Sequence, residues 1–129
     1  MSFSLKNLPK RSAKPRTEGI TLVLDKGYSI RQVEDLVEVC SNHIDIVKLG
    51  WGTSYVTQGL EEKIKVYQNA GIPVYFGGTL FEAYLMRNQL SDYRKMMERY
   101  EITHVEVSNG TILLSDEKKQ AIVINIFIN

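Results

Sequence analysis

The feature that most constrains this chain is a unit that repeats along it: a short apolar run, a turn, and an amphipathic helix. The apolar runs begin near residues 20, 44, 73 and 103, at a spacing of roughly 24–30 residues. Strands and helices that alternate at this spacing are typical of right-handed βαβ units, in which the strands are parallel. We therefore predict an α/β fold with four parallel β/α units, in the order of the sequence.

The residue pattern places four strands and four helical regions. Strands are predicted at 20–24, 44–49, 73–76 and 103–107. Helices are predicted from a cap at Ser29 to Cys40, over 60–69, over 80–100 in two pieces broken near Ser91, and from Ser115 onward. Each predicted strand is thus followed by a helix.

Four units are half of a closed barrel. Eight units make a (β/α)8, or TIM, barrel of about 250 residues, whereas this chain has 129 residues. The predicted fold is therefore a partial TIM barrel, a half-barrel that is truncated relative to the complete ring. The alternative is an open doubly wound sheet, although the first turn after a strand lacks the GxGxxG pattern expected there.

The two ends of the chain differ from the middle. Residues 1–17 form a basic arm in which Pro9 and Pro15 oppose regular structure, and residues 18–120 form the half-barrel. Residues 121–129 form an atypical apolar tail, uncharged and rich in β-branched side chains. That tail is either an artificial end, as after a change of reading frame, or the buried end of a strand or helix.

Composition excludes several classes of function. The net charge is +1, which gives no reason to expect nucleic acid or an anionic membrane as partner. The one cysteine, Cys40, cannot form an internal disulfide, and no run approaches the ~20 apolar residues that span a bilayer. The start of the chain also lacks the apolar run of a secretory signal. We expect a cytoplasmic protein without nucleic-acid or membrane partners.

Polar residues cluster where the predicted strands end. In parallel β/α proteins these carboxyl ends carry the functional side chains. The polar positions found there are Asp25, Lys26, Lys48, 50–54, 77–79, Glu82, His104, Glu106 and Ser108. We predict that the site of this chain lies along that edge.

Side-chain alternation sharpens the prediction for three charged residues. It separates Asp25, Lys48 and Glu106 from their apolar neighbours and directs all three toward the barrel mouth. A buried charge costs several kcal/mol unless it is paired or binds something. The set therefore favours a site for an anionic substrate and a cation. A structural layer of ion pairs among the same residues is the alternative.

Other features allow two interpretations each. Thr79 and Glu82 match a capping box, or Glu82 contacts metal or substrate. The turn 50–54, Gly-Trp-Gly-Thr-Ser, either cradles phosphate through its N–H groups or is only a tight turn. The basic arm either reaches over the mouth or is solvated, and His104 is more typical of packing than of catalysis.

Five segments together resemble the phosphosulfolactate synthase family in order and spacing. They are KPR (14–16), DKG (25–27), IDIVKLGWGTS (44–54), GGTLFE (77–82) and VEVSNG (105–110). The likeness extends from about residue 12 to about residue 120, and in detail it is closer to the bacterial branch than to the archaeal coenzyme M enzymes. A related plant heat-stress protein shares the domain.

The resemblance implies a TIM-barrel lyase that adds sulfite to phosphoenolpyruvate, giving (2R)-2-phospho-3-sulfolactate, with Mg2+ as cofactor. It implies catalytic roles for Lys48 and Glu106 and magnesium ligands at Asp25, Glu82 and Glu106. The substrate contacts it implies are Lys14, Arg16, Lys26, Gly52, Thr53, Ser54, Gly77, Gly78, Thr79 and Ser108. A general acid, a lysine after a later strand, is expected outside these residues, so we expect little activity from the chain alone.

Two other functions stay open at this point. One is a barrel lyase that uses Lys48 as a Schiff-base nucleophile. The other is a non-catalytic stress or assembly protein built on the same domain. In either case a half-barrel has open strand edges, so we expect a homo-oligomer or self-association.

Overall fold

The computed structural model of the chain describes residues 4–127, and its centre is a parallel sheet covered on one face by helices. The elements in chain order are β1 (Leu22–Asp25), α1 (Ile30–Cys40), β2 (Ile46–Leu49), α2 (Leu60–Asn69), β3 (Val74–Phe76), α3 (Gly78–Leu85), α4 (Leu90–Arg99) and α5 (Asp116–Phe127). The strand order is β1-β2-β3, and both pairs are parallel. The α/β class and the first three predicted units are therefore confirmed.

The predicted fourth strand is wrong for the described residues. Residues 103–107 join no sheet, although Val105 and Val107 pack against the core as alternation predicts. Glu106, between them, reaches Lys48 on the other face of the sheet. The segment is held by side chains at its carboxyl end rather than by a ladder of backbone hydrogen bonds, so four paired units are not formed.

The strand register decides which face each side chain takes. Leu24 is level with Lys48, and Lys48 is level with Tyr75, so these three share one face. Asp25 is level with Leu49, which is one of the core residues beneath the helices. The prediction that Asp25 and Lys48 share the inner face is therefore wrong. The β1 residue that shares a face with Lys48 is Leu24, and Asp25 points to the opposite face.

The hydrophobic core lies between the sheet and the helices. Val47, Leu49 and Phe76 of the strands are fully or almost fully buried there. Tyr93 of α4 packs edge-on against Phe81 of α3, with ring centroids 5.7 Å apart, and against Phe76. The other face of the sheet is open to solvent, with Leu22 49% exposed.

The helices begin and end where local signals place them. Ser29 caps α1: its hydroxyl accepts from the Gln32 N–H while the Gln32 side chain accepts from the Ser29 N–H. This capping box is worth roughly 1 kcal/mol. α3 ends at Leu85 and α4 begins at Leu90. Asn88, between them, has a φ of 55°, which a helix cannot contain.

The last helix, α5, runs through the boundary predicted at residue 120. Residues 121–127 continue it, and Ile126 is buried against the core; residues 128–129 lie outside the described part. Within residues 4–127, none of the helices combines the length and apolar character that crossing a bilayer demands.

The described part of the basic arm, residues 4–17, lies against the amino ends of the strands. Arg16 Nη1 is 2.6 Å from Oδ1 of Asp45, and Arg11 Nη2 is 3.1 Å from Oδ2. Asp45 directly precedes β2 and also accepts from the Thr21 N–H. The arm is therefore anchored by ion pairs at the end of the sheet opposite the polar strand ends, and residues 1–3 lie outside the described part.

Candidate active site

The centre of the site is an ion pair between β2 and the fourth segment. Lys48 Nζ lies 2.6 Å from Oε2 and 2.9 Å from Oε1 of Glu106. The Gly78 N–H donates to Oε2 of Glu106 at 3.1 Å, which sets this carboxylate on the first turn of α3. The Lys48 and Glu106 side chains are 25% and 34% exposed. The pair is therefore accessible at the carboxyl edge, as predicted for both residues.

Gly77 and Gly78 are required by close packing rather than by unusual φ angles. A Cβ on Gly77 would lie 2.9 Å from the Leu49 carbonyl oxygen. A Cβ on Gly78 would lie 2.3 Å from Cβ of Ser108, a separation that real atoms do not adopt. Both glycines therefore bring the start of α3 against β2 and against the fourth segment.

Glu82 of α3 is buried and holds the loop that follows the fourth segment. Its Oε1 accepts from the Ser108 hydroxyl and from the Gly110 N–H at 2.8 Å. Its Oε2 accepts from the hydroxyl and, at 2.9 Å, the N–H of Thr111. Burial alone raises the pKa of Glu82, but the Ser108, Thr111 and Gly110 hydrogen bonds outweigh it and lower the pKa to about 2.

The capping-box interpretation of Thr79 and Glu82 is wrong. The N-cap of α3 is Gly77, so Thr79 lies inside the first turn and its side chain is exposed. The Glu82 carboxylate is then directed at residues 108–111 instead of at the cap. Ser108 lies at the predicted edge, as a donor to Glu82.

Asp25 forms a buried cluster beneath the sheet. Lys63 Nζ lies 2.8 Å from Oδ2 of Asp25, and both side chains are at most 1% exposed. Tyr67 donates its hydroxyl to Oδ2 at 3.1 Å, and the N–H groups of Gly27 and Tyr28 donate to Oδ1 at 2.8 Å. Burial, together with the Asp25 charge, raises the pKa of Tyr67. Asp25 thus lies in a structural ion pair, but its partner is Lys63 and not a member of the set Asp25, Lys48 and Glu106.

Lys26 lies over the ring of Trp51. Its Nζ is 4.8 Å from the ring centroid, and Trp51, the one tryptophan of the sequence, is 60% exposed. Cation–π contacts of this kind are worth about 0.5–1 kcal/mol at exposed sites. The contact joins the loop after β1 to the loop after β2 at the edge predicted for the site.

The loop 50–54 is a tight turn. The Thr53 N–H donates to the Gly50 carbonyl at 3.1 Å, and the Thr53 hydroxyl donates to the same oxygen at 2.8 Å. Gly52 has a φ of 71°, in the left-handed region where glycine is favoured. The turn interpretation describes its geometry, and phosphate binding here stays a prediction.

Ser54 lies on the helix side of this loop. It is buried, and its hydroxyl has no hydrogen-bond partner among the described residues. It lines a cavity of about 410 Å³ with residues of α3 and α4, among them Tyr84 and Arg99. Gly52 and Thr79 line a neighbouring cavity of about 540 Å³ that also contains Arg87. Gly52, Ser54 and Thr79, which were predicted to contact substrate, therefore line these two cavities.

Lys14 and Arg16 lie away from the predicted mouth. Lys14 Nζ donates to the Ser41 carbonyl at 3.0 Å, and Arg16 is bound to Asp45 and to the Asn42 carbonyl. All of these partners precede β2, at the opposite end of the sheet from Lys48. The prediction that the arm holds substrate over the mouth is wrong, because Asp45 supplies a nearer anionic partner.

The three carboxylates predicted for magnesium do not fit a shared metal site. Asp25 lies on the helix side of the sheet and is bound to Lys63, while Glu106 lies on the inner side and is bound to Lys48. The oxygens of Glu82 already accept from Ser108, Gly110 and Thr111. In the described portion, moreover, no three His, Cys, Asp or Glu side chains are grouped to hold a metal ion.

Sequence reasoning missed the two partners of Asp25 on α2 and the contact of Thr111 with Glu82. Lys63 and Tyr67 both face the core, and a lysine between Leu60 and Ile64 on an apolar helical face is a signal of a buried ion pair. Thr111 gave no such signal, because its contact with Glu82 depends on how the loop folds.

Parallel strands whose carboxyl-end loops gather ammonium groups, carboxylates and close-packed glycines define a β/α protein with an enzyme-like polar site. Residues 9–127 match the family described as (2R)-phospho-3-sulfolactate synthase (ComA). The chain belongs to the phosphosulfolactate synthase family, as the sequence segments predicted.

Three relatives carry the name phosphosulfolactate synthase. The chain is 38% identical over 121 residues to the Bacillus subtilis protein, covering 94% of this chain and 48% of that protein. It is 37% identical over 113 residues to the Methanothermobacter thermautotrophicus protein, covering 86% and 44%. For the Methanocaldococcus jannaschii protein the identity is 43% over 107 residues, covering 81% and 43%. The chain thus spans about half the length of the curated relatives it matches.

Proposed function

We propose that this chain supplies the amino-terminal half of a sulfite-adding lyase site. The reaction is addition of sulfite to phosphoenolpyruvate, giving (2R)-2-phospho-3-sulfolactate. The observation that carries the proposal is the Lys48–Glu106 pair, which two family-matching segments bring together at 2.6 Å on the open face of the sheet. The names of the three relatives support the same reaction.

The chemistry requires positive charge at the carboxylate of phosphoenolpyruvate. The sulfur lone pair of sulfite attacks the methylene carbon, C3, and forms the C–S bond. The C2–C3 π electrons move toward the carboxylate, giving an enediolate, and C2 then takes a proton. An ammonium group placed at the developing charge lowers the barrier by electrostatic stabilisation. In this proposal Lys48 provides that charge.

Glu106 orients the ammonium group. Its Oε2 accepts from the Gly78 N–H, and Lys48 Nζ contacts both of its carboxylate oxygens. A lysine side chain loses about 2 kcal/mol of rotamer entropy when it is ordered, and a partner that orders it beforehand removes that cost from substrate binding. Lys26 adds a second cation at the same edge. Two polyanionic substrates in one pocket require more than one such charge.

Magnesium, which the resemblance implies, would stabilise the enediolate charge when bound. The carboxylates of this half do not fit a shared site for it, so no step here involves it. Cytoplasmic location also stays part of the proposal, in agreement with the one free cysteine, Cys40.

We propose that the 129-residue chain by itself has negligible synthase activity. It has three paired strands where a complete TIM barrel has eight, and catalysis requires the whole constellation to be positioned together. The proton donor for C2 is expected from a lysine that follows a later strand in the family. The phosphate-binding loops of the family are expected in the same region.

The direct experiment joins this chain to the part of the Bacillus subtilis relative that lies beyond the matched region. Sulfite-dependent consumption of phosphoenolpyruvate is measured for the hybrid and for the chain alone. The proposal expects turnover by the hybrid and none by the chain alone. A folded hybrid without turnover, or a chain that turns over alone at the hybrid's rate, contradicts it.

A Schiff-base lyase that uses Lys48 is less well supported. A Schiff base requires a lysine nitrogen that is free to attack a carbonyl carbon, and Nζ of Lys48 is already engaged by the Glu106 carboxylate at 2.6 Å. Borohydride with a carbonyl substrate would trap a Lys48 adduct only in that alternative.

A further inference from the structure

We propose that Asp25 and Glu82 are positioning residues, each of which holds one loop of the site edge through that loop's backbone N–H groups. This differs from the magnesium-ligand role that the resemblance implies. The inference rests on the proposed function only where it assigns the two loops to a catalytic site. The anchoring of the loops is a property of the folded chain.

Glu82 holds the loop 108–111. It accepts from four donors, namely the Ser108 hydroxyl, the Gly110 N–H, and the N–H and hydroxyl of Thr111. A carboxylate has about four lone-pair sites, so these donors occupy its acceptor capacity. Glu82 is 3% exposed, and no strand ladder fixes the preceding residues 103–107. This one side chain therefore does much of what backbone pairing would otherwise do.

Asp25 holds the loop after β1 in the same way. Two of its four donors are the N–H groups of Gly27 and Tyr28, and the other two are Lys63 and Tyr67 of α2. Lys63 neutralises the charge, so that the carboxylate can remain buried. Asp25 thereby links the loop after β1 to α2 in the helix layer.

Each anchored loop delivers a side chain to the site edge. The loop held by Asp25 places Lys26 over Trp51. The loop held by Glu82 begins at Ser108, which packs where a Cβ of Gly78 would otherwise lie, two residues from Glu106. A metal ion at either carboxylate would have to displace these donors and release the loop.

Amide hydrogen exchange measured by NMR on the 129-residue chain tests the Glu82 anchor. In Glu82→Ala the amides of Gly110 and Thr111 should exchange roughly tenfold faster or more, because hydrogen bonds to a charged group are among the stronger ones. Glu82→Gln, which keeps one acceptor oxygen, should give an intermediate rate. The β2 amides of Val47 and Leu49 should keep their protection in both variants. Glu98→Ala, at an exposed position of α4, is the control.

Two outcomes would overturn the Glu82 anchor. One is unchanged exchange of Gly110 and Thr111 in Glu82→Ala. The other is a uniform loss of protection in Glu82→Gln that includes Val47 and Leu49, which would make Glu82 a part of global stability and not a loop anchor.

The Asp25 anchor is tested by the fluorescence of Trp51, the one tryptophan. Asp25→Asn should change the emission of Trp51 and its quenching by acrylamide, since the loop that carries Lys26 is loosened. Asp35→Asn, on an exposed position of α1, should change neither. If Asp25→Asn leaves Trp51 emission unchanged while the β2 amides stay protected, the anchor is refuted.

Added Mn2+ separates anchoring from metal ligation. The proposal expects no selective paramagnetic broadening of the Gly27, Gly110 or Thr111 amides. Selective broadening that disappears in Glu82→Ala or Asp25→Asn, but persists in Glu98→Ala, would establish metal ligands instead. None of these measurements uses turnover, so they can fail or succeed independently of the synthase proposal.

Discussion

Lys48 and Glu106 are 58 positions apart in the sequence and meet at 2.6 Å on the open face of the sheet. The contact joins β2 to a segment that has no backbone pairing with the sheet. Glu106 also accepts from Gly78 at the start of α3, so three successive β/α connections converge on one carboxylate. The three residues that meet belong to the segments IDIVKLGWGTS, GGTLFE and VEVSNG.

Removing Lys63 should be far more costly than removing its exposed neighbour Lys65. Lys63→Met leaves the Asp25 carboxylate buried without its ammonium partner, at a cost of about 3–5 kcal/mol in the free energy of unfolding. Lys65 forms an exposed i,i+4 pair with Glu61, which solvent screens, so Lys65→Met should leave the free energy of unfolding almost unchanged. Urea titration of both variants measures the difference. Equal small losses would contradict a buried ion pair at Asp25.

The stability of the chain should fall in acid partly through Glu82. The folded pKa of Glu82 is lowered from its ordinary value of 4.5 to about 2, as hydrogen bonds from Ser108, Thr111 and Gly110 outweigh burial. A depressed pKa stabilises the fold above the unfolded value, and this contribution is lost as the pH falls from about 4.5 toward about 2.

The test is the free energy of unfolding of Glu82→Gln and of the parent chain between about pH 5 and about pH 2.5. Glu82→Gln should be less stable at the upper pH and should show a shallower decline below it. Asp45, whose pKa is also lowered, by the Thr21 N–H and by Arg16, contributes equally to both proteins. Parallel pH curves for the two proteins would show that Glu82 is not a stabilised carboxylate.

Gly78→Ala should destabilise the chain, whereas Gly110→Ala should not. The added methyl group at Gly78 would lie 2.3 Å from Cβ of Ser108, while at Gly110 the nearest atoms are 3.7 Å away. Overpacking of this kind typically costs about 1–3 kcal/mol. Thermal unfolding of the two variants gives the comparison, and a Gly78→Ala chain as stable as the parent would show that the approach of Ser108 is looser than described.

We expect the chain to self-associate through the open face of its sheet. Leu22 on that face is 49% exposed, and an apolar sheet face with open strand edges favours pairing between copies. Sedimentation velocity at several concentrations should show association that Leu22→Lys weakens. Val39→Lys, which changes a 78% exposed valine on α1, should leave it unchanged. A monomer at every concentration would refute the expectation.

The sequence predicted the repeating β/α units well because each depends on local signals. The cap at Ser29 and the apolar runs before residues 25, 50 and 77 are read directly from neighbouring residues. The fourth strand failed because pairing depends on the partner edge, and β3 has only three residues, Val74–Phe76.

The site was predicted less completely because its geometry is non-local. Alternation shows that Asp25 and Leu24 face opposite ways, but both faces of a β/α sheet are apolar, so it does not show which face the helices cover. The partner of Arg16 is Asp45, 29 positions away, and nothing in the spacing indicates that contact. Lys48 and Glu106 were found because both are charged residues within predicted strands.

The measurement that tests the account most directly is the turnover of the hybrid with the Bacillus subtilis carboxyl-terminal region when Lys48 is changed. Lys48→Met should lower sulfite-dependent consumption of phosphoenolpyruvate roughly 100-fold or more, because a preorganised charge at the enediolate is lost. Lys65→Met, an exposed lysine on α2, should leave turnover unchanged. A folded Lys48→Met hybrid that turns over as fast as the Lys65→Met hybrid would contradict a catalytic site at Lys48 and Glu106.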